Sequence, residues 1–168
     1  EPFVFDPYDA EALAGLIEAR LPQGEPRAPL ERIEQAEQVL QAWEVAVGWG
    51  GEKAFYAPGA DRIQLPDREA FHSPAALYAT WAHECIHSTG HESRLKRDLS
   101  GAFGSRGYAR EELVAELGSV LIGQRLQIGC ELAHHAAYLQ SWISVLRESP
   151  KVLLQVISEA RQAVDLLC

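Results

Sequence analysis

The sequence predicts an α+β domain in which a small sheet packs against one chemically equipped helix. Three observations lead there. Apolar residues recur at helical spacing near both ends of the chain; short β-type segments parted by glycine and proline turns fill residues 44–65; and a well-capped helix opens at Ser73 soon after them. With 168 residues, 47% of them hydrophobic, the chain is long enough for one domain with a single buried core.

Residues 8–21 read as a short amphipathic helix, with Leu13, Leu16 and Ile17 at helical spacing. Pro22, Gly24, Pro26 and Pro29 cannot continue it, so residues 1–29 are expected to form an N-terminal helix and linker ahead of a domain spanning 30–168. The domain begins with a helix over 30–42, with Ile33, Ala36, Val39 and Leu40 on its apolar side. Strands are expected at 44–49, 53–57 and 62–65, separated by turns at Gly50-Gly51 and Pro58-Gly59-Ala60-Asp61. About three strands, mostly antiparallel, make a small sheet, and the 62–65 strand is expected as the edge along which an extended peptide could lie.

Ser73 is a good N-cap, and Pro74 suits the first helical position, where a missing N–H has no partner to lose. This helix runs through His87 and is expected to stop at Gly90, in the left-handed conformation that ends many helices. A charged, glycine-rich loop over 91–107 follows, then helices over 109–128, 131–148 and 150–167, the last opened by Pro150.

Composition narrows the function classes. Lys and Arg total 15 against 24 for Asp and Glu, a formal charge of −9 that repels phosphate backbones and makes this segment a poor nucleic-acid binder by itself. Arg94, Lys96, Arg97 and Arg106 form a short, interrupted basic stretch that reads as a solvated loop. Cys85, Cys130 and Cys168 have no paired spacing, which argues against a disulfide scaffold or a cysteine-rich zinc site and fits a reducing cytoplasm. No apolar run approaches the ~20 residues that cross a bilayer, and Glu1 to Asp6 lacks the basic region and apolar core of a secretory leader. The chain holds no Met, from which we expect an excised or processed segment.

The chemistry is carried by His83-Glu84-Cys85-Ile86-His87. Positions four apart on a helix lie nearly above one another, so His83 and His87 point the same way and can share one Zn²⁺. Glu84 lies one residue round the helix, beside the metal rather than on it, where it can take a proton from a water that the metal has acidified. Cys85 and Ile86 face away, towards the core.

A catalytic zinc needs a third protein ligand and an open fourth position. A histidine six residues after His87 would supply one, but that residue is Ser93, and His91 is expected to point elsewhere. The helix that follows offers Glu112 and Glu116, four apart on one face; Leu113, Leu117, Val120 and Leu121 supply its apolar side. Glu112 is the expected ligand, Glu116 accepts a hydrogen bond from a ligand histidine, and Glu111 is expected to face solvent. Tyr108, one turn before Glu112, is a candidate oxyanion stabiliser or a packing residue. His134 and His135 are expected to be capped or surface histidines rather than ligands, His135 being the nearer of the two to the site. His72 is expected to have no special role; Trp43, Trp49, Trp81 and Trp142 look like core and rim aromatics.

Taken together, the runs 54–66, 83–95, Phe103-Gly104-Ser105 and 108–116, with His135-Ala136-Ala137-Tyr138 and Ser141-Trp142, resemble the C-terminal zincin-like metallopeptidase domain of the ArdC-type antirestriction proteins. The resemblance extends from about Leu30 to the end. It implies a zincin-like fold and a zinc site of His83, His87 and a glutamate of the Glu111-Glu112 helix, with Glu84 catalytic. It also implies a full-length parent whose separate N-terminal domain binds single-stranded DNA and which protects incoming mobile-element DNA from restriction. From the motif itself we expect a zinc-dependent peptidase, with Glu84 activating water, that acts on a peptide or protein substrate. The other expectation is a non-catalytic, zinc-stabilised binding module of such a protein.

Overall fold

The computed structural model describes residues 29–128, 143, 147 and 151–168. Their elements run α1 (Pro29–Ala42), β1 (Ala46–Trp49), β2 (Phe55–Ala57), β3 (Arg62–Leu65), α2 (Pro74–Thr89), α3 (Arg106–Leu126) and α4 (Lys151–Leu167). The helices expected over 8–21 and 131–148, together with His134, His135 and Trp142, lie outside the described residues.

The three strands are ordered β1-β3-β2, and the sheet is mixed rather than mostly antiparallel. β2 and β3 form an antiparallel hairpin, Phe55 opposite Gln64 and Ala57 opposite Arg62, closed by a single 3₁₀ turn and a left-handed Asp61. β3 then inserts between the other two strands and runs parallel to β1, Ala46 opposite Arg62 and Trp49 opposite Leu65. Two chain reversals restore the direction of β1, so insertion at the centre makes the pair parallel. The 62–65 strand is therefore the middle of the sheet and not its edge: Ile63 and Leu65 are wholly buried, while β2 forms an edge.

α2 lies at the heart of the molecule. Trp81, Ala82, Cys85 and Ile86 are buried in one cluster with Ala36 and Leu40 of α1, Ile63 and Leu65 of β3, and Val156, Ala160 and Ala163 of α4. Trp49 meets Trp81 edge-on at 5.2 Å, and the Arg68 guanidinium, ion-paired to Glu37, lies 4.5 Å from the Trp49 ring centre. The helix begins as expected, with Ser73 Oγ accepting the Ala76 N–H at 3.0 Å and Pro74 next in line.

Its end differs from expectation. Gly90 is right-handed, with φ −75°, and its N–H donates to the carbonyls of His87 and Ser88. Crowding accounts for the glycine: a Cβ there would come within 2.9 Å of Leu99 Cδ2 and 3.1 Å of the Arg97 guanidinium. The loop folds back under the helix, Leu95 N–H donating to Thr89 O and Arg97 N–H to Gly90 O, which satisfies carbonyls that a helix end leaves bare.

α3 starts three residues earlier than expected, capped by Ser105, whose Oγ accepts the Tyr108 N–H, and it ends at Leu126, before a left-handed Gln127, two residues short of the expected 128. It packs closely on α2 at Gly118, where an added Cβ would meet the Ile86 side chain at 2.8 Å. That approach brings the carboxylates of α3 to the histidines of α2. No helix among the described residues is long and apolar enough to cross a membrane.

Candidate metal centre

His83 and His87 project from one face of α2 and Glu112 from the facing side of α3, and their donor atoms all lie within 4.8 Å of one another. The two Nε2 atoms are 3.0 Å apart; Glu112 Oε1 is 3.4 Å from His87 Nε2, and its Oε2 is 3.6 Å from His83 Nε2. A tetrahedral metal bound at 2.0–2.1 Å holds its donor atoms about 3.3 Å apart, so these spacings suit one ion with little movement. Two imidazole nitrogens and a carboxylate oxygen are also a donor set that suits zinc.

Electrostatics agree. Burial opposes the charged form of Glu112, but hydrogen bonds from both histidines win and hold its carboxyl well below the usual range. Burial likewise pushes His87 down, yet Glu111 and Glu112 lift it to about 10, because several carboxylates converge on one ring. The cluster attracts positive charge, whether a proton or a metal ion.

Each histidine is backed on its other nitrogen. Glu116 Oε1 lies 3.7 Å from His83 Nδ1, on the side where the sequence placed it. Glu111 does not face solvent. It is 6% exposed, with Oε1 3.1 Å from His87 Nδ1 and both oxygens held by Arg97, at 2.8 and 3.0 Å. Helical periodicity put Glu111 on the flank of Glu112; what draws it inward is an arginine from the preceding loop. Arg97 also donates to Ile86 O and Thr89 Oγ1, and its side chain is only 5% exposed.

The basic stretch is therefore not uniformly solvated. Arg94 too is inside, donating to Ser88 O and paired with Asp61 and Glu44. Sequence reading missed both arginines, and no local signal sets them apart from Lys96, which is exposed.

Glu84 is buried beside the donors without being one of them. Burial raises its pKa, against the charges of His83 and His87, and the backbone of Tyr56 in β2 hydrogen-bonds its carboxylate. It sits in a cleft of about 310 Å³ lined by Ala54, Phe55, Tyr56 and Pro58 of the β2 segment, by Asp98, Leu99 and Gly101 of the loop, and by Tyr108 of α3. Tyr108 thus reaches the cleft, as a candidate oxyanion donor must. His91 is turned away, its Nδ1 2.8 Å from Ser93 Oγ. Trp43 is a rim residue, donating from Nε1 to Ser88 Oγ.

Known proteins share this arrangement of sequence and fold. Residues 34–159 match the zincin-like metallopeptidase family. The chain is 44% identical over 145 residues to a DNA primase TraC of Escherichia coli, covering 82% of this chain and 14% of the primase. It is 40% identical over 136 residues to the uncharacterized protein y4eC of Sinorhizobium fredii (strain NBRC 101917 / NGR234), covering 80% of this chain and 44% of that protein. Among solved structures it is similar to the antirestriction protein ArdC from the R388 plasmid. The Mn(II)-bound form superposes with a TM-score of 0.71 at 34% identity, over 84% of this chain and 52% of ArdC. The metal-free form gives 0.67 at 36% identity, over 80% and 48%. The chain spans about half the length of ArdC and less of the curated relatives. The matched residues include every carboxylate and histidine of the cluster, and the chain belongs to the zincin-like metallopeptidase family.

Proposed function

We propose that this domain is a zinc-dependent peptide-bond hydrolase, the peptidase-like part of an antirestriction or mobile-element protein of the cytoplasm. One observation carries the reading: a buried carboxylate, Glu84, stands beside a three-donor metal group and faces an open cleft without joining that group. A metal that served only to stabilise the fold has no use for it.

His83, His87 and Glu112 would hold the zinc, which supplies Lewis acidity that acidifies water and polarises a carbonyl. Glu84 accepts the proton of the attacking water as its oxygen bonds to the carbonyl carbon. It then delivers that proton to the amide nitrogen as the C–N bond breaks. Burial makes its carboxylate more basic than an exposed one, which suits a group that must take and return a proton. The Tyr108 phenol, lining the same cleft, can donate to the oxygen that gains charge. Glu111 and Glu116 fix the two imidazole rings. The substrate is a peptide or protein. The net charge of −9 disfavours nucleic acid on this segment alone, so single-stranded DNA would be bound elsewhere in a longer parent.

A non-catalytic, zinc-stabilised binding module is the alternative, favoured by the names of the relatives, an antirestriction protein and a DNA primase rather than peptidases. Glu84→Gln separates the two. The peptidase reading expects normal zinc stoichiometry by elemental analysis and a ~10²–10⁴-fold loss of hydrolysis of an unstructured peptide library. A zinc-loaded wild-type protein that cleaves nothing in that library decides for the module.

A further inference from the structure

Five large hydrophobic side chains are markedly exposed among the described residues: Phe55, Phe103, Leu153, Leu154 and Leu166. The three leucines belong to α4, whereas Phe55 lines the cleft and Phe103 packs against Tyr108, which lines it. Phe55, 48% exposed, lines it from β2, an edge strand. Phe103, 88% exposed, rests its ring 5.2 Å from that of Tyr108, which lines the cleft from α3. An aromatic ring left almost wholly in water forgoes most of the stabilisation that burial would give it. An exposed aromatic in a concave site, with a second one packed on a residue that lines it, points to a binding surface.

The polar lining is one-sided. Glu84, Asp98, Glu111 and Glu112 line the cleft, and among the described residues no Lys or Arg does. A divalent metal would offset two of these charges, and Arg97 pairs with Glu111, which leaves exposed Asp98, hydrogen-bonded by Ser100, without a basic partner among the described residues. The hydrogen bond from the Tyr56 backbone to Glu84 shows that the outer edge of β2 faces the cleft. An extended chain laid along such an edge presents alternate side chains to the walls.

We propose that the cleft selects extended peptides with a large apolar side chain beside the scissile bond and no acidic side chain next to it, and that Phe55 and Phe103 set the preference. This rests on the peptidase reading, which it deepens by naming the substrate class.

The test uses zinc-loaded protein and alanine-based decapeptides that differ at one scanned position, carrying Phe, Leu, Ala, Lys or Glu. At the preferred position, kcat/KM should be about 10–100-fold higher for Phe and Leu than for Ala, and lowest for Glu. Phe103→Ala and Phe55→Ala should each lower the Phe-over-Ala ratio about tenfold. Binding of the same labelled peptides to Glu84→Gln, read by fluorescence anisotropy, should follow the same order. Hydrolysis of all peptides alike, or ratios unmoved in both variants, overturns the preference and leaves the peptidase standing. If nothing is hydrolysed but Phe peptides still bind ahead of Ala and Glu peptides, and Phe103→Ala abolishes that order, the preference stands and the peptidase falls. No hydrolysis and no ordered binding overturns both.

Discussion

Arg94 and Arg97 lie three residues apart in one loop, and both tuck their side chains beneath the end of α2, 7% and 5% exposed. Both donate to carbonyls of that helix, Arg94 to Ser88 at 2.8 Å and Arg97 to Ile86 at 2.7 Å. They differ in the acids they meet. Arg97 holds Glu111, whose side chain is 8% exposed and touches His87. Arg94 holds Asp61 and Glu44, 37% and 66% exposed, at the corner of the sheet. The same residue type in the same loop thus serves a low-dielectric wall behind the metal centre and a clamp at the water's edge. The solvation of the partner, more than that of the arginine, decides how much each pair matters.

The largest expected effect follows from that difference. Arg97→Ala leaves the Glu111 carboxylate buried with only His87 for company, and breaking a buried pair by removing one partner typically costs about 3–5 kcal/mol. Urea unfolding of the metal-free protein reads it directly, and Arg94→Ala should cost clearly less. A loss below ~1 kcal/mol in Arg97→Ala would place its pair with the exposed ones and erase the contrast.

The two histidines sharpen the comparison next. Glu111 Oε1 is 3.1 Å from His87 Nδ1, within hydrogen-bond reach, whereas Glu116 Oε1 is 3.7 Å from His83 Nδ1. Glu111→Gln also strips Arg97 of its charge partner. It should weaken zinc binding by ~10–100-fold in a chelator competition, with Glu116→Gln at the low end of that range or beneath it. The reverse order would make His83 the ligand that depends more on its support.

Local features were legible and long-range ones were not. The helix carrying His83, Glu84 and His87 could be read because its cap, its proline and the four-residue spacing all lie within one segment. Glu112 could be chosen because a pair four apart shares a face. Helical angle alone turns Glu111 towards solvent, because it says nothing of an arginine fourteen residues earlier that folds beneath it. The sheet shows the same limit. Strand positions followed from β-type residues and turns, but the parallel pairing of β1 with β3 depends on where the chain inserts. The alternation of Ile63 and Leu65 shows only that one face of the 62–65 strand is buried, which an edge strand would share, so its central place needs the pairing itself. Nothing local marks Gly118, whose need to be small comes from Ile86 thirty-two residues earlier in the chain.

The smallest expected effect lies at the exposed clamp, and it has a definite sign. The Arg94 guanidinium, hydrogen-bonded to Asp61, outweighs burial and draws its pKa down from 3.8 to about 2, with help from the Tyr56 hydroxyl. A carboxylate whose folded pKa is depressed adds stability that is complete above its unfolded value. That stability is lost as pH falls through the folded one. Asp61 should therefore stabilise the fold above about pH 4 and cease to do so by about pH 2. Because its side chain is 37% exposed, water screens the pair, and the contribution should be no more than about 1 kcal/mol. Asp61→Asn isolates the charge, since asparagine tolerates the left-handed backbone found there, φ 43°. The gap between wild-type and Asp61→Asn urea midpoints should be open at pH 6 and should close as pH falls from 4 to 2. Parallel midpoints across that range would show that the clamp works through shape and hydrogen bonding alone, and a gap as large as that of Arg97→Ala would show that exposure of the partner is not what separates the two arginines.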